Sequence, residues 1–251
     1  INDASALKKA DIGIAMGTGT SVSKESADII LLDDNFNTIA LAVKNGRNIY
    51  NNIKKAISYI LAIHIPIALL ALVIPLLKLP VLLLPVHIVL LELLIDPTSS
   101  IIFQRIKCDE NIMKKPPRDK SSSIIDLKTL LRCIVQGLIV FIAVFITYVY
   151  LTKISIFKAV SVSYSLLILS IIMIAYSFKS KKMTIINIID GFKDKVVLLV
   201  NGIIILVLIC LIYIPVFHDV ANTSSIGLFD WIYILVVSVL ITVPFDLLKK
   251  D

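Results

Sequence analysis

Apolar residues in this chain fall in six blocks: Ala56 to Leu77, Leu79 to Gln104, Cys133 to Leu151, Ala159 to Phe178, Val196 to Phe217 and Leu228 to Leu248. Each is close to the roughly 20 helical residues needed to cross a hydrocarbon core about 30 Å thick. Lipid offers backbone amides no hydrogen-bond partner, so only segments that satisfy them internally can lie there. The pattern predicts a mainly α, polytopic membrane bundle of six transmembrane helices. Composition agrees, with 58% hydrophobic and 17% charged residues. Only Lys78 separates the first two blocks, so a re-entrant hairpin is the alternative to two crossings; the length of each run favours two. The last block is the weakest, because Asp230 and Asp246 shorten its uncharged centre. Its ends are expected at the headgroups, with Trp231 and Tyr233 as interfacial anchors.

Lysine and arginine placement orients the bundle. With residues 1–55 inside, the inside segments carry 7, 8, 5 and 2 basic residues, against 3 outside at Lys78, Lys153 and Lys158. The positive-inside rule then puts both termini in the cytoplasm, and the expected location is the plasma membrane of a prokaryote. The net charge of +7 is thereby explained as topology. The basic residues flank spans and are not interleaved with aromatics, so no nucleic-acid partner is expected. Cys108, Cys133 and Cys210 lack CxxC or Cys/His spacing and predict neither a disulfide framework nor a zinc site.

Residues 1–55 are the one soluble stretch, and they alternate helix and strand. Ala4 to Ala10 reads as a helix, Asp11 to Met16 as a strand, Ser21 to Ala27 as a helix and Asp28 to Leu32 as a buried strand, with a turn at GTGT, Gly17 to Thr20. This is the edge of an α/β domain, too small to bury a core alone. It is expected to dock on protein outside the chain, or else to be disordered in isolation. The chain does not begin with Met and reads as part of something longer. From Thr38 a helical pattern runs to Ile65, about 40 Å at 1.5 Å per residue. Gly46 is either a hinge in that rod or a tolerated glycine at a close packing contact.

Glu92 and Asp96 are ionisable residues inside an apolar run, which marks them as candidates for an ion or proton route. Spaced i and i+4, they share a helix face. Two carboxylates in a low-dielectric interior cannot both stay ionised without a cation, so the pair wants a metal or a proton. Pro97 frees the Leu93 carbonyl and Pro66 that of Ala62; such oxygens suit hard cations such as Ca²⁺. Packing against buried cations or a histidine is the plainer alternative for the pair. His64 is either a hydrogen-bonded structural residue or a ligand, and as a ligand its nitrogen shifts preference toward Mn²⁺ or Zn²⁺. His87 is expected at the interface. Gln136, Asn201, Ser161, Ser163, Tyr164 and Ser170 read as helix-packing residues that hydrogen-bond between helices. Cys108 to Ser123 is a cytoplasmic loop, either simply solvated or a coupling element.

The opening INDASALKKADIGIAMGTGTSVSKESADIILLDDNF closely resembles the end of the phosphorylation domain of P-type cation ATPases, where a GDGxND signature precedes an ALKxADIGIAMG stretch. The stalk RNIYNNIKKAISYIL and the loop DENIMKKPPR resemble the same family, nearest its calcium-pump branch. The resemblance implies a haloacid-dehalogenase-like α/β remnant at 1–37, a cytoplasmic stalk helix at 38–55 and a six-helix transport domain at 56–251. It implies that Asn2 approaches the phosphoryl group and Asp3 sits beside the magnesium site. An aspartyl phosphate needs amide donors and Mg²⁺ to neutralise developing charge. The DKTGT nucleophile and a nucleotide-binding domain have no counterpart here. ATP and Mg²⁺ are therefore expected to bind mainly to a missing N-terminal part, the principal partner besides the lipid bilayer. At the transport site, the resemblance implies Glu92 and Asp96 as ion-binding residues, with His64 as a further candidate. Glu92 stands where calcium pumps carry Asn, Ile95 where they carry Thr, His64 where they carry Asn and Ile67 where they carry a ligating Glu. The implied function is the C-terminal transport half of an ATP-driven cation pump, a calcium-type divalent cation being favoured. An ion- or proton-coupled six-helix carrier is the alternative.

Overall fold

The structure is a computed structural model. It describes residues 3–106, 108–119, 123–179 and 184–248, with the side chains of 94–96, 98–100 and 247–248 left out. The chain forms two compact units, one of residues 1–50 with 108–117 and one of residues 51–107 with 118–251.

In the first unit, α1 (Asp3–Lys9), β1 (Ile14–Met16), α2 (Ser21–Glu25) and β2 (Ile29–Leu31) follow the order read from the sequence. The strands pair in parallel, with Ile14 opposite Ile29 and Met16 opposite Leu31. Thr20 ends the GTGT turn and caps α2, its hydroxyl accepting from the Ser23 amide at 3.3 Å. Such a cap satisfies one of the donors left over at a helix start. The expectation of a buried second strand is corrected: only Leu31 is buried, while Ile29 and Ile30 are 39% and 41% exposed. A two-stranded sheet has too little cover to close both faces. Cys108–Pro117 lies in this unit, where Arg47 donates to the carbonyls of Ile112 at 3.0 Å and Lys115 at 2.8 Å.

The longest element is α3 (Phe36–Leu76), 41 residues, about 60 Å at 1.5 Å per residue. The helix expected over Thr38 to Ile65 lies wholly within it and continues through Pro66 and Pro75. A Cβ at Gly46 would meet nothing within 4 Å, so close packing does not explain that glycine. Gly46→Ala is expected to stabilise the helix by about 1 kcal/mol, from helix propensity alone; thermal unfolding followed by circular dichroism checks it.

After α3 the chain turns at Lys78, whose φ is 56°, and the next helix, α4 (Pro85–Gln104), starts several residues later than its apolar block. Pro80 and Pro85 explain the delay, since neither can donate to a preceding turn, and Pro85 sits at the helix start, where the missing amide costs nothing. The rest of the second unit comprises α5 (Leu127–Thr152), α6 (Ile156–Lys179), α7 (Thr184–Gly191), α8 (Lys195–Tyr213), α9 (Pro215–Ala221), α10 (Leu228–Leu240) and α11 (Val243–Leu248). Among the described residues five helices are long and apolar enough to cross a membrane: α3, α5, α6, α8 and the stretch Leu228–Asp246. The helix α4, with 20 residues, covers the second block. Pro215 divides the fifth block into α8 and α9.

Helix α6 is the centre of this bundle, buried on all sides from Ala159 to Ile172. Its polar residues hydrogen-bond partly as expected. Ser161 Oγ bonds both the carbonyl and the amide of Ser224 at 2.8 Å, Tyr164 donates to the His87 carbonyl at 3.2 Å, and Asn201 donates to the Tyr176 hydroxyl at 2.5 Å. Ser170 instead bonds within its own helix, to Leu166 O, while Gln136 Nε2 and Ser163 Oγ are buried without a hydrogen-bond partner in the structure. A serine inside a helix can always turn back on the preceding turn, so its presence does not dictate an interhelical bond.

Two further expectations are corrected. His87 is not interfacial but fully buried, its ring 4.5 Å from that of Tyr164. Its Nδ1 accepts from the Leu84 amide at 3.2 Å, replacing a bond the helix start would otherwise lack. Asp246 is also buried rather than solvated among headgroups. It accepts from both the amide and the hydroxyl of Thr184 at 2.8 Å, and so fastens the start of α7 to α11. Asp246→Ala leaves two buried donors of Thr184 without this acceptor and is expected to cost roughly 1–3 kcal/mol, read as a lower unfolding midpoint.

Candidate cation site

The residues singled out in the membrane are carried by α3 and α4. His64 and Glu92 approach across these helices, with Nε2 3.4 Å from Glu92 Oε1. Each side chain is about half exposed, at 44% and 43%. The chain therefore closes this pair on one side only. The Asp96 side chain lies outside the described residues, as does Asn2. Asp3 is described, as the exposed first residue of α1.

The tautomer of His64 follows from its second contact. Nδ1 lies 2.8 Å from the Ile60 carbonyl oxygen, which can only accept, so the ring proton belongs on Nδ1. In the neutral ring Nε2 is then a bare lone pair directed at a carboxylate oxygen. Both atoms carry lone pairs of the kind that bind a metal ion. A backbone carbonyl that fixes one ring nitrogen and presents the other is how metal-ligating histidines are commonly oriented. The Nδ1 bond to Ile60 is the hydrogen bond that the structural reading of His64 expects, and Nε2 stands 3.4 Å from Glu92 Oε1.

Other expected oxygens are not assembled here. Ala62 is fully buried, and its carbonyl lies against α5, where a Cβ built on Gly137 would come within 2.8 Å of it. The carbonyl that Pro66 deprives of its i+4 amide therefore faces a neighbouring helix. Ile67, 7% exposed, packs into the core. Among the described residues no three His, Cys, Asp or Glu side chains come together. The three cysteines are free.

One end of the bundle carries a set of cationic contacts: Lys54 with Asp126 at 2.8 Å, Arg105 with Asp194 at 2.6 Å, and Lys55 donating to the Lys179 carbonyl at 3.0 Å. The hydrogen bond from Lys54, with that from Thr129, holds the Asp126 carboxyl well below the usual carboxylate range. The hydrogen bond from Arg105 likewise lowers the pKa of Asp194. These pairs are solvent-screened and position helix ends more than they stabilise them. The opposite end has Lys158 with Asp230 at 3.0 Å.

The second unit is thus a multi-pass helical membrane domain whose histidine–carboxylate pair is open on one side. Residues 80–250 match the family described as cation transporting ATPase, C-terminus, and the chain belongs to that family. It is 32% identical over 232 residues to a calcium-transporting ATPase of Listeria monocytogenes, covering 92% of this chain and 26% of that protein. A calcium-transporting ATPase of Bacillus subtilis is 30% identical over 252 residues, covering 96% and 27%. One of Plasmodium falciparum is 42% identical over 153 residues, covering 60% and 12%. The chain thus spans about a quarter of the length of the bacterial relatives.

Proposed function

We propose that this chain is the C-terminal transport part of an ATP-driven cation pump, with a calcium-type divalent cation as cargo. The observation that carries the reading is the His64–Glu92 pair, a nitrogen and a carboxylate oxygen held face to face from two helices of a family of cation-transporting ATPases. In this reading Glu92, Asp96 and His64 form half of the ion site, and helices outside the chain supply the remaining oxygens. Residues 1–37 belong to a haloacid-dehalogenase-like phosphorylation domain, in which Asn2 approaches the phosphoryl group and Asp3 the magnesium. ATP and Mg²⁺ bind mainly to the rest of the pump, and the stalk over 38–55 joins that domain to six spans over 56–251. The basic end of the bundle and both termini face the cytoplasm of a prokaryotic cell. A six-helix secondary carrier is not favoured, because an α/β segment matching a phosphorylation domain has no role in it.

The test is ATP hydrolysis by the full-length protein, reconstituted in vesicles and titrated separately with Ca²⁺, Mn²⁺, Mg²⁺, K⁺ and protons. Stimulation by Ca²⁺ with accumulation of the ion in the vesicle lumen is the expected result. Ion uptake that follows an imposed gradient without ATP would reject the pump.

A further inference from the structure

Helix α7 is amphipathic in the inverted sense. Its buried residues are Thr184, Asn187 and Gly191, spaced i, i+3 and i+7 along one stripe. The opposite face presents Ile185, Ile186 and Ile189, continued by Phe192 just past the helix, at 52%, 44%, 55% and 64% exposure. The polar stripe faces the bundle for definite reasons. Thr184 is held by Asp246, Asn187 donates to the Tyr176 carbonyl at 2.9 Å, and Gly191 lies so close to the Tyr176 ring that a Cβ there would come within 2.6 Å of it. These contacts fix the rotation of the helix, with Ile188 packed against the core, and turn Ile185, Ile186 and Ile189 outward.

The surroundings identify what covers this face. The segment sits between the end of α6 and the start of α8, at the end of the bundle that carries Lys55, Lys179 and Arg105. Lys193 and Lys195 follow the helix directly and are exposed; Lys193 also pairs with Asp190 at 3.2 Å, with most of its side chain still open to solvent. Beyond them the first turn of α8 again exposes apolar residues, Val196, Leu198 and Leu199, a face that itself must meet lipid if α8 spans. A short helix with an apolar outer face, followed by lysines and then by the exposed apolar start of α8, matches the chemistry of the headgroup–acyl boundary of an anionic leaflet.

We propose that α7 is an interfacial anchor: Ile185, Ile186, Ile189 and Phe192 insert among the acyl chains, while Lys193 and Lys195 bind anionic lipid headgroups. The choice of leaflet rests on the orientation proposed above; the insertion itself does not depend on transport. Because Thr184 is tied to α11 and Asn187 to α6, the anchor would set the height of both helices in the bilayer at once.

The test uses the full-length protein with its other accessible cysteines replaced by serine, Ile189→Cys carrying a nitroxide label, and vesicles of phosphatidylcholine with or without phosphatidylglycerol. Power saturation is expected to show the label open to oxygen and shielded from a water-soluble nickel chelate. Asp190→Cys, on the flank of the helix, should be less open to oxygen than Ile189→Cys. Phosphatidylglycerol should draw the label at 189 deeper, and the double change Lys193→Gln, Lys195→Gln should abolish that response, each lysine contributing about fivefold in affinity. A label at 189 open to the chelate would overturn insertion in favour of a solvated helix. One closed to both reagents would overturn it in favour of a protein-covered face. An unchanged response to phosphatidylglycerol in the double variant would overturn the lysine contact. All of these readings are independent of ATP hydrolysis, so failure of the pump assignment is distinguishable from failure of the anchor.

Discussion

Glu92→Ala is expected to abolish ion-stimulated ATP hydrolysis by the full-length protein. Without the carboxylate, the Nε2 lone pair of His64, now 3.4 Å from Glu92 Oε1, loses the charge that would bring a cation to it. In the assembled pump the pair would be enclosed by further helices, and truncating one partner of an enclosed charge pair costs roughly 2–5 kcal/mol. That corresponds to a loss of about 30-fold to several thousandfold in ion affinity. Glu92→Gln should fall nearly as far, since it keeps the shape and removes the charge. Asp96→Ala, one helical turn on, should behave alike, because a hard cation needs several oxygens and each lost carboxylate also removes charge. His64→Ala separates the two roles of that ring. If Nε2 ligates, the ratio of Mn²⁺ to Ca²⁺ affinity falls in the variant, because nitrogen donors favour the borderline ion. If only the Nδ1 bond to Ile60 matters, both affinities stay the same. Retained ion-stimulated turnover in both Glu92→Ala and Asp96→Ala would reject the site.

Gly137→Ala should be the most disruptive methyl addition among the glycines of the bundle. An added Cβ would lie 2.7 Å from Ile65 Cβ and 2.8 Å from the Ala62 oxygen, so either α5 or α3 must move. Both contacts are at or next to backbone, where no flexible side-chain end can yield. Cys133, Gln136, Val140 and Val144 are buried on α5 around Gly137, and close-packed neighbours transmit such a shift. Overpacking of this kind costs roughly 1–3 kcal/mol, to be measured as a lowered unfolding midpoint in detergent. Gly202→Ala is the control, since a Cβ there meets nothing within 4 Å, and no loss is expected. Ile65 directly follows His64, so a shift of α3 should also weaken ion affinity. An unchanged midpoint would mean that α3 and α5 do not approach as closely as described.

Much of the fold is legible in the sequence because membrane helices are specified by length and hydropathy over whole segments. The blocks at Cys133 to Leu151 and Ala159 to Phe178 become α5 and α6 with small changes at their ends. The α/β order of the first residues was equally readable, since GTGT and ADIGIAM carry turn and strand signals locally. Less of the site was legible. Glu92 stood out because a carboxylate in an apolar run is conspicuous, but whether it faced His64 depended on the relative rotation of α3 and α4, which spacing within either helix does not encode. Pro66 removes the amide that would bond the Ala62 carbonyl, but what lies beside that oxygen is set by Gly137 on another helix, which the sequence of α3 does not encode.

The sequence by itself determined that this chain enters a membrane, roughly where its helices run, and which ionisable residues lie within them. These depend on transfer energies summed along a segment and on backbone chemistry at individual prolines and glycines. Only the tertiary structure decided that His87 and Asp246 are buried helix-end partners, that His64 presents Nε2 to Glu92, and that α7 turns its polar stripe inward. Each of these rests on a contact between residues distant in sequence, where packing against Tyr164, Thr184 or Tyr176 outweighs the local preference of a polar side chain for water.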